Sequence, residues 1–297
     1  MQLKRNILIW TVLLAILTAC STGSKIESVR QTAEQAFENG NYAVALTEYE
    51  KIIAEYKAEG RTGECPVYGK AGRAAMQTGD VDKALDYLQM DTYTPYVSAE
   101  TYRAQARGYR KIDNLSKEIM ALEDYLEKYP QGDDVGRVKT RLFETYVESE
   151  NWEKATGLWP ELPEESKRGE DMLEKWFEVN LELENLQVSE KLADELLQIN
   201  PNHVKALEFK AEKAFNKAED HYQREMKAYE ENRTNRQYKR LLEELDKITE
   251  EFQVALGYYE KLWDMDPKPK YARYMSNIYV RFNDKEKADY YRNKAGD

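Results

Sequence analysis

The sequence predicts an all-α fold built from repeated helical hairpins, and three observations support this. Its 297 residues include only 8 Pro and 14 Gly, which argues against a turn-rich all-β protein. Apolar residues recur every three or four positions along most of the chain, a spacing that places them on one face of an α-helix. Short polar turns of similar composition separate these stretches, so neighbouring helices are expected to form hairpins.

The N-terminus has the order of an export signal. Two basic residues precede an apolar run that is too short to span a bilayer as a mature helix, which needs about 20 residues. The run ends in Leu17-Thr18-Ala19-Cys20, which resembles a lipobox, the cleavage and lipidation site of bacterial lipoproteins. Residues 1–19 are therefore predicted to be a signal peptide, and Cys20 the lipidated residue that attaches the protein to a membrane. The alternative is an uncleaved anchor, or a plain signal in which Cys20 has no role.

Residues 20–25 are predicted to be a short flexible tether. The residue after Cys20 is Ser21 rather than Asp, which resembles the outer-membrane class of lipoproteins. The predicted location is therefore the outer membrane, lipid-anchored and facing the periplasm, with the inner membrane as the alternative. Once Cys20 is acylated, Cys65 is the only thiol left, so no intramolecular disulfide is expected.

Residues 26–203 are predicted to form five helical hairpins of one kind. Four turns of the chain are alike, and each is followed three residues later by an alanine: Gly40-Asn41-Tyr42, Gly79-Asp80-Val81, Glu150-Asn151-Trp152 and Asn283-Asp284-Lys285. The pattern resembles the tetratricopeptide repeat (TPR), a helix–turn–helix unit of 34 residues. In that register the repeats begin near Ile26 and at Cys65, Ala99, Gly136 and Glu170. The resemblance implies a right-handed superhelical solenoid.

The match to the repeat pattern has departures at its small positions. Phe143 and Phe177 stand where the pattern has a small residue. Glu118 and Ser189 stand where it has alanine. Individual repeats are therefore weak matches, and the preserved phase of the array carries the resemblance.

Residues 204–267 break the period and predict one elongated antiparallel hairpin. Two apolar-spaced stretches of about 27 residues flank a polar turn at positions 232–235, and at 1.5 Å per residue the pair extends some 20 Å beyond ordinary repeats. Large side chains expected toward the outer end are predicted to dock a partner: Tyr222, Met226, Tyr229 and Tyr238. The alternative is that they only close the hairpin. Residues 268–297 are predicted to be a capping helix pair.

The TPR resemblance also implies a binding groove, lined by the first helix of each repeat. The register places five arginines in it: Arg30, Arg73, Arg103, Arg107 and Arg110. The last three share one helical face, where like charges repel slightly unless an anion binds them. Four of the five, Arg73, Arg103, Arg107 and Arg110, are predicted to bind a partner, and an ordinary solvated helix face is the alternative.

Motifs for catalysis or metal binding are absent from the sequence. It contains no Gly-rich phosphate loop, no HExxH, no Cys pair at metal spacing and no GxSxG, so no enzyme activity, cofactor or metal is expected. A net charge of −11 argues against nucleic acid as a partner. The sequence predicts a lipid-anchored scaffold for protein or peptide partners in the cell envelope, as a subunit of an outer-membrane assembly or transport complex. The alternative is a glycan- or nutrient-binding accessory lipoprotein of an uptake system.

Overall fold

The protein is all-α, as the sequence predicts. A computed structural model describes residues 25–296, and this range contains fourteen α-helices and no β-strand. The chain divides between Pro163 and Glu164 into two compact units, and this division lies within the block 26–203 predicted as five repeats. Among the helices of residues 25–296, none combines the length and the apolar content needed to cross a membrane.

The first unit is a series of helical hairpins in which consecutive helices pack against each other. Its helices are α1 (residues 25–38), α2 (Tyr42–Ala58), α3 (Tyr68–Thr78), α4 (Val81–Asp91), α5 (Ala99–Lys111), α6 (Leu115–Lys128), α7 (Val135–Glu148) and α8 (Trp152–Leu158).

Small residues let the helices of a pair approach closely. Ala71, Ala75 and Ala84 are fully buried between α3 and α4. At Gly72 an added Cβ would lie 2.6 Å from Leu88 Cγ and 3.0 Å from the carbonyl oxygen of Ala84, so only hydrogen fits there. The alanine and glycine positions of the repeat pattern are therefore set by the distance between the two helices.

One left-handed residue recurs in the hairpin turns, directly before the Asn or Asp that precedes the second helix. Gly40 and Gly79 occupy this position in the first two hairpins, with φ of 75° and 89°. Later hairpins use residues that carry a Cβ: Asp113, Glu150, Glu184 and Asn283, with φ between 55° and 58°. Side chains with a Cβ are strained in this region, so these four turns hold a small local strain.

The second helix of the fourth hairpin is short. α8 ends at Leu158 and is followed by the 3₁₀ turn Trp159–Glu161, because Pro160 has no N–H to continue an α-helix. The ring of Trp159 lies 5.1 Å from that of Phe143, which is fully buried at its expected small position. The large side chain is therefore accommodated where the second helix is cut short.

The second unit has six helices and contains the elongated hairpin. They are α9 (Glu170–Glu182), α10 (Leu186–Ile199), α11 (Val204–Glu231), α12 (Asn235–Met265), α13 (Pro269–Arg281) and α14 (Lys285–Ala295). Two of the four departures are buried in this unit: Phe177 packs edge-on against Phe209, and the Ser189 hydroxyl donates to the carbonyl oxygen of Asn185 at 3.2 Å.

The elongated hairpin, here called the arm, consists of α11 with 28 residues and α12 with 31. The Nδ1 atom of His203 accepts a hydrogen bond from the Ala206 N–H at the start of α11. The hydroxyl of Thr234 accepts one from the Gln237 N–H at the start of α12. Along the arm, Ile248 and Phe252 are buried against α11, so its stability rests on an apolar seam between the two helices.

Candidate functional site

A pocket of about 310 Å³ lies in the first unit between α5, α6 and α7. We call it the arginine pocket, because five arginines and three carboxylates line it. The charged residues are Arg103, Arg107, Arg110, Arg137, Arg141, Glu100, Glu118 and Asp134. Three of the four arginines predicted to bind a partner, those of α5, therefore share one concave site.

Helix packing explains why the α5 arginines face the pocket. The opposite face of α5 is turned into the core, where an added Cβ at Gly108 would lie 2.7 Å from Leu85 Cδ2. The start of α5 is fixed as well: the buried Thr101 hydroxyl donates to the carboxylate of Asp91 at 2.6 Å. With these contacts setting the rotation of the helix, Arg103, Arg107 and Arg110 project from the remaining face.

Glu100, on the same helix, is the counter-ion of two of these arginines. Its carboxylate accepts hydrogen bonds from the guanidinium groups of Arg103 and Arg107. Burial favours the neutral acid, but hydrogen bonds and charges from Arg107 and Arg103 outweigh it and lower the pKa of Glu100. Glu100 is therefore an internal anion that occupies part of the arginine face.

Asp134 connects the α5 face to the next repeat. It precedes α7, and its carboxylate pairs with both Arg103 and Arg137. The side chain of Arg137 is 84% exposed, so it reaches the carboxylate from the solvent side. Two helices therefore share their charges around a single carboxylate at the pocket edge.

Arg141 is held by three glutamates. It donates two hydrogen bonds to Glu118, at 2.7 and 3.0 Å, and two more to Glu148, at 2.7 and 2.8 Å. Glu144 accepts another at 3.1 Å. Burial opposes the charge of Arg141, yet the hydrogen bonds to these carboxylates outweigh it and raise the pKa of the guanidinium. All five N–H donors of Arg141 are used in these hydrogen bonds, so Arg141 links α6 and α7 and is not available to a ligand.

The available positive charge of the pocket comes from the other four arginines. Arg103, Arg107 and Arg137 share two carboxylates, and Arg110 forms no ion pair with any residue in the range 25–296. This end of the pocket therefore has an excess of two positive charges. Guanidinium groups bind carboxylates through paired N–H donors, so the end suits an anionic ligand.

The fourth predicted arginine lies elsewhere. Arg73, on α3, places its guanidinium over the ring of Phe37 at 5.1 Å from the centroid. It is not among the residues that line the arginine pocket. Its contact with Phe37 is a packing contact between α1 and α3, and the structure does not bring it together with the arginines of α5.

The four arm residues predicted to dock a partner occupy two places. The Arg281 guanidinium of α13 lies 4.0 Å from the ring centroid of Tyr222 and donates to Glu219 at 2.6 Å. Tyr222 is therefore part of the packing between the arm and α13. Tyr229 and Tyr238 face each other across the hairpin with ring centroids 5.8 Å apart, and Met226 lies half-buried between the two places.

The two cysteines and the question of a metal site remain. Cys20, the predicted lipidation site, lies outside the residues that the structure describes. Cys65 is fully buried, and burial raises the pKa of its thiol. Within residues 25–296, no three His, Cys, Asp or Glu side chains are grouped so that they could hold a metal ion.

Comparison with known proteins identifies the fold type. No known protein family and no protein of curated function matches the sequence. Among solved structures, the C-terminal part of a TPR repeat-containing protein from Cytophaga hutchinsonii is 15% identical, covers 90% of this chain and 93% of its own, and has a TM-score of 0.51. A candidate protein-binding protein from Bacteroides ovatus is 17% identical, covers 73% and 96%, and has a TM-score of 0.50. These similarities show a TPR-type fold.

Proposed function

We propose that the protein is a non-enzymatic, lipid-anchored scaffold that binds a partner protein in the cell envelope. The TPR-type fold supports a binding role, because its stacked helices present extended concave surfaces. The sequence Leu17-Thr18-Ala19-Cys20 supports the anchor. In this proposal Cys20 carries the lipid, the protein faces the periplasm from the outer membrane, and the partner is a component of an assembly or transport complex.

The observation that carries the proposal is the excess of arginine in the arginine pocket. Arg110 has no ion pair with a described residue, and Arg107 shares the carboxylate of Glu100 with Arg103. A partner segment with two or more Asp or Glu side chains would neutralise this excess. Such a ligand would bind Arg107 and Arg110 first, because they are the exposed members of the α5 face.

Glu100 would compete with that ligand. Its carboxylate already occupies the donors of Arg103 and Arg107 that an incoming carboxylate would need. Binding would therefore exchange an internal anion for an external one, and the net gain would come from Arg110 and from the additional charges of the ligand. Exchange of this kind gives selectivity for segments with several carboxylates over single anions.

The test uses a fluorescent peptide in which glutamate alternates with serine, and a matched peptide with glutamine in place of glutamate. We expect Arg107→Glu/Arg110→Glu to weaken binding of the acidic peptide at least about tenfold, because two attractive contacts become repulsive. Lys111→Glu/Lys191→Glu is the control: both lysines are exposed, and the change in net charge is the same. Raised salt should weaken the wild-type complex as well.

A second variant tests the competition. Glu100→Gln removes the internal carboxylate and should strengthen peptide binding, whereas Glu153→Gln, an exposed glutamate of α8, should leave it nearly unchanged. Equal binding of both peptides, or equal losses in the Arg107/Arg110 and Lys111/Lys191 variants, would refute the pocket as the binding site.

A further inference from the structure

The outer end of the arm extends beyond its neighbouring helices. The last side chains of α11 that contact α13 are Glu219 and Tyr222, both held by Arg281. Past that point, the ring contacts and ion pairs within residues 25–296 join α11 only to α12. We call residues 223–242 the arm tip. Nine residues of α11 and eight of α12 extend it about 12–13 Å past the last contact with α13.

The arm tip has a charge opposite to that of the whole chain. Its twenty residues contain six arginines and lysines but only three glutamates, a net charge of +3 in a protein whose net charge is −11. Of the three glutamates, Glu225 is 6% exposed and pairs with Arg240 at 3.3 Å, inside the hairpin. Its negative charge is therefore turned away from any docking partner.

Three cations at the turn are free of ion pairs. Arg233, Arg236 and Lys239 are exposed, and none of them lies within 4.0 Å of a carboxylate in the part of the chain that the structure describes. They span the end of the hairpin, from the loop between the two helices to the fifth residue of α12. A solvated turn needs few such charges for solubility, whereas an opposing acidic surface would pair with all three.

Aromatic and apolar side chains adjoin these cations. Tyr238 is 50% exposed and packs on Tyr229 across the hairpin, and Leu242, one turn further along α12, is 45% exposed. Tyrosine beside arginine is the composition enriched in protein–protein interfaces. A bilayer surface would instead require a continuous apolar face to insert, and two partly exposed side chains do not provide one.

We propose that the arm tip is a second docking surface, which binds an acidic protein surface by charge complementarity. Arg233, Arg236 and Lys239 would pair with carboxylates of the partner, and Tyr238 would supply the apolar contact. Arg233 and Arg236, the two arginines of the tip without an ion pair among the described residues, favour carboxylates in particular, because a guanidinium can bind both oxygens at once. The surface is separate from the arginine pocket and does not depend on it.

The test is photo-crosslinking on the full mature chain. The probe is a glutamate-rich peptide with a central benzoylphenylalanine, and the matched control peptide has glutamine in place of glutamate. Crosslinked residues are mapped by mass spectrometry, which separates the arm tip from the arginine pocket. We expect the glutamate peptide, and not the glutamine peptide, to crosslink to residues 223–242.

Charge reversal then tests the cations. Arg233→Glu/Arg236→Glu/Lys239→Glu should reduce crosslinking at the tip about tenfold or more, while crosslinks in the pocket persist. The control Lys111→Glu/Lys191→Glu/Lys285→Glu has the same change in net charge at exposed lysines elsewhere and should keep the tip crosslinks. Circular dichroism should show unchanged helicity in both, because all six side chains are exposed.

Several results would overturn the proposal. They are crosslinks confined to the pocket, tip crosslinks that survive the charge reversal, and equal labelling by the glutamine peptide. The tip could also be tested with vesicles containing phosphatidylglycerol and with duplex DNA. If either of these binds through the tip while the acidic peptide does not, the surface belongs to another class of partner and the proposal is rejected. Crosslinks at the tip without crosslinks in the pocket would support the tip and reject the function proposed for the pocket.

Discussion

The ion pair between Glu118 and Arg141 gives a prediction in which the two partners have unequal effects. Glu118 is 1% exposed, and Arg141 is the only side chain within residues 25–296 that donates hydrogen bonds to its carboxylate. Arg141 is 15% exposed and keeps Glu144 and Glu148 when Glu118 is removed. Loss of the arginine therefore leaves a buried charge without a partner, whereas loss of the glutamate does not.

The magnitudes follow from this difference. Arg141→Met should lower the free energy of unfolding by about 3–5 kcal/mol, the range for breaking a buried pair on one side. Glu118→Ala should cost about 1–3 kcal/mol, because Arg141 retains charged acceptors. The double variant should be more stable than Arg141→Met alone, since it buries no unpaired charge and restores the alanine of the repeat pattern.

The assay is urea and thermal unfolding followed by circular dichroism, with hydrogen exchange of peptides from α6 and α7 to locate the change. A cooperative unit of this size loses about 2–4 °C in Tm per kcal/mol, so Arg141→Met should lower the transition by roughly 6–20 °C. Equal costs for the two single variants, or a double variant whose cost is the sum of both, would refute the reasoning.

Three other predictions concern the anchor, the tyrosines and the helix packing. Cys20→Ser should abolish acyl labelling and leave the protein soluble or stalled as a precursor; full recovery with membranes would contradict the anchor. Burial raises the pKa of Tyr49 to about 12, and burial with a hydrogen bond to Glu50 raises that of Tyr87 to about 12. Because both pKa values exceed the ordinary 10.0, the two neutral tyrosines contribute to stability fully below pH 10, and this contribution is lost as the pH rises from 10 to 12. Tyrosinate absorbance and loss of helicity should therefore increase together over this pH range. Ionisation of both tyrosines without loss of helicity would contradict this. Gly72→Ala should lower stability by about 1–3 kcal/mol, because its Cβ would meet the carbonyl oxygen of Ala84; an unchanged urea midpoint would mean that the helices can separate freely.

The helices and their pairing could be predicted from the sequence because they depend on local spacing. The alanine at each turn and the 34-residue phase placed α5 at Ala99, where the structure begins it. The length of the arm followed in the same way from uninterrupted apolar periodicity. The early end of α8 does not follow from the repeat pattern, which continues through this position, because it is set by Pro160 alone.

The ion pairs of the arginine pocket could not be predicted, because they depend on how helices from different repeats are rotated. Sequence spacing showed that Arg103 and Arg107 share a face. It did not show that Glu100, also on α5, would neutralise part of the charge of these two arginines. It also did not show that Asp134 would reach Arg103 from the loop before α7. Glu118 stands at an alanine position of the repeat pattern, but its partner Arg141 lies 23 residues away in sequence, so spacing does not identify the pair.

The location of Tyr222 shows the same limit. Its place in the apolar series of the arm was clear from spacing, but spacing does not tell how far α13 reaches along the arm. Arg281 sets that reach by covering the Tyr222 ring. A deletion meant to remove only the arm tip should therefore begin after Tyr222.

The left-handed turn residues indicate how the protein could be redesigned for greater stability. Asp113, Glu150, Glu184 and Asn283 each hold positive φ with a Cβ present, while Gly40 and Gly79 hold it without one. A left-handed conformation costs an ordinary residue roughly 1–2 kcal/mol of folding free energy. Glycine avoids this cost, but it lowers stability by about 0.5–1 kcal/mol because the unfolded chain gains conformational freedom. Each replacement by glycine thus leaves a gain between zero and about 1.5 kcal/mol, with the smaller gains at Asp113 and Asn283, because Asp and Asn adopt the left-handed conformation more readily than Glu. Because the four turns are separate, the gains should add, and a thermostable variant could be made without altering any helix, the arginine pocket or the arm tip.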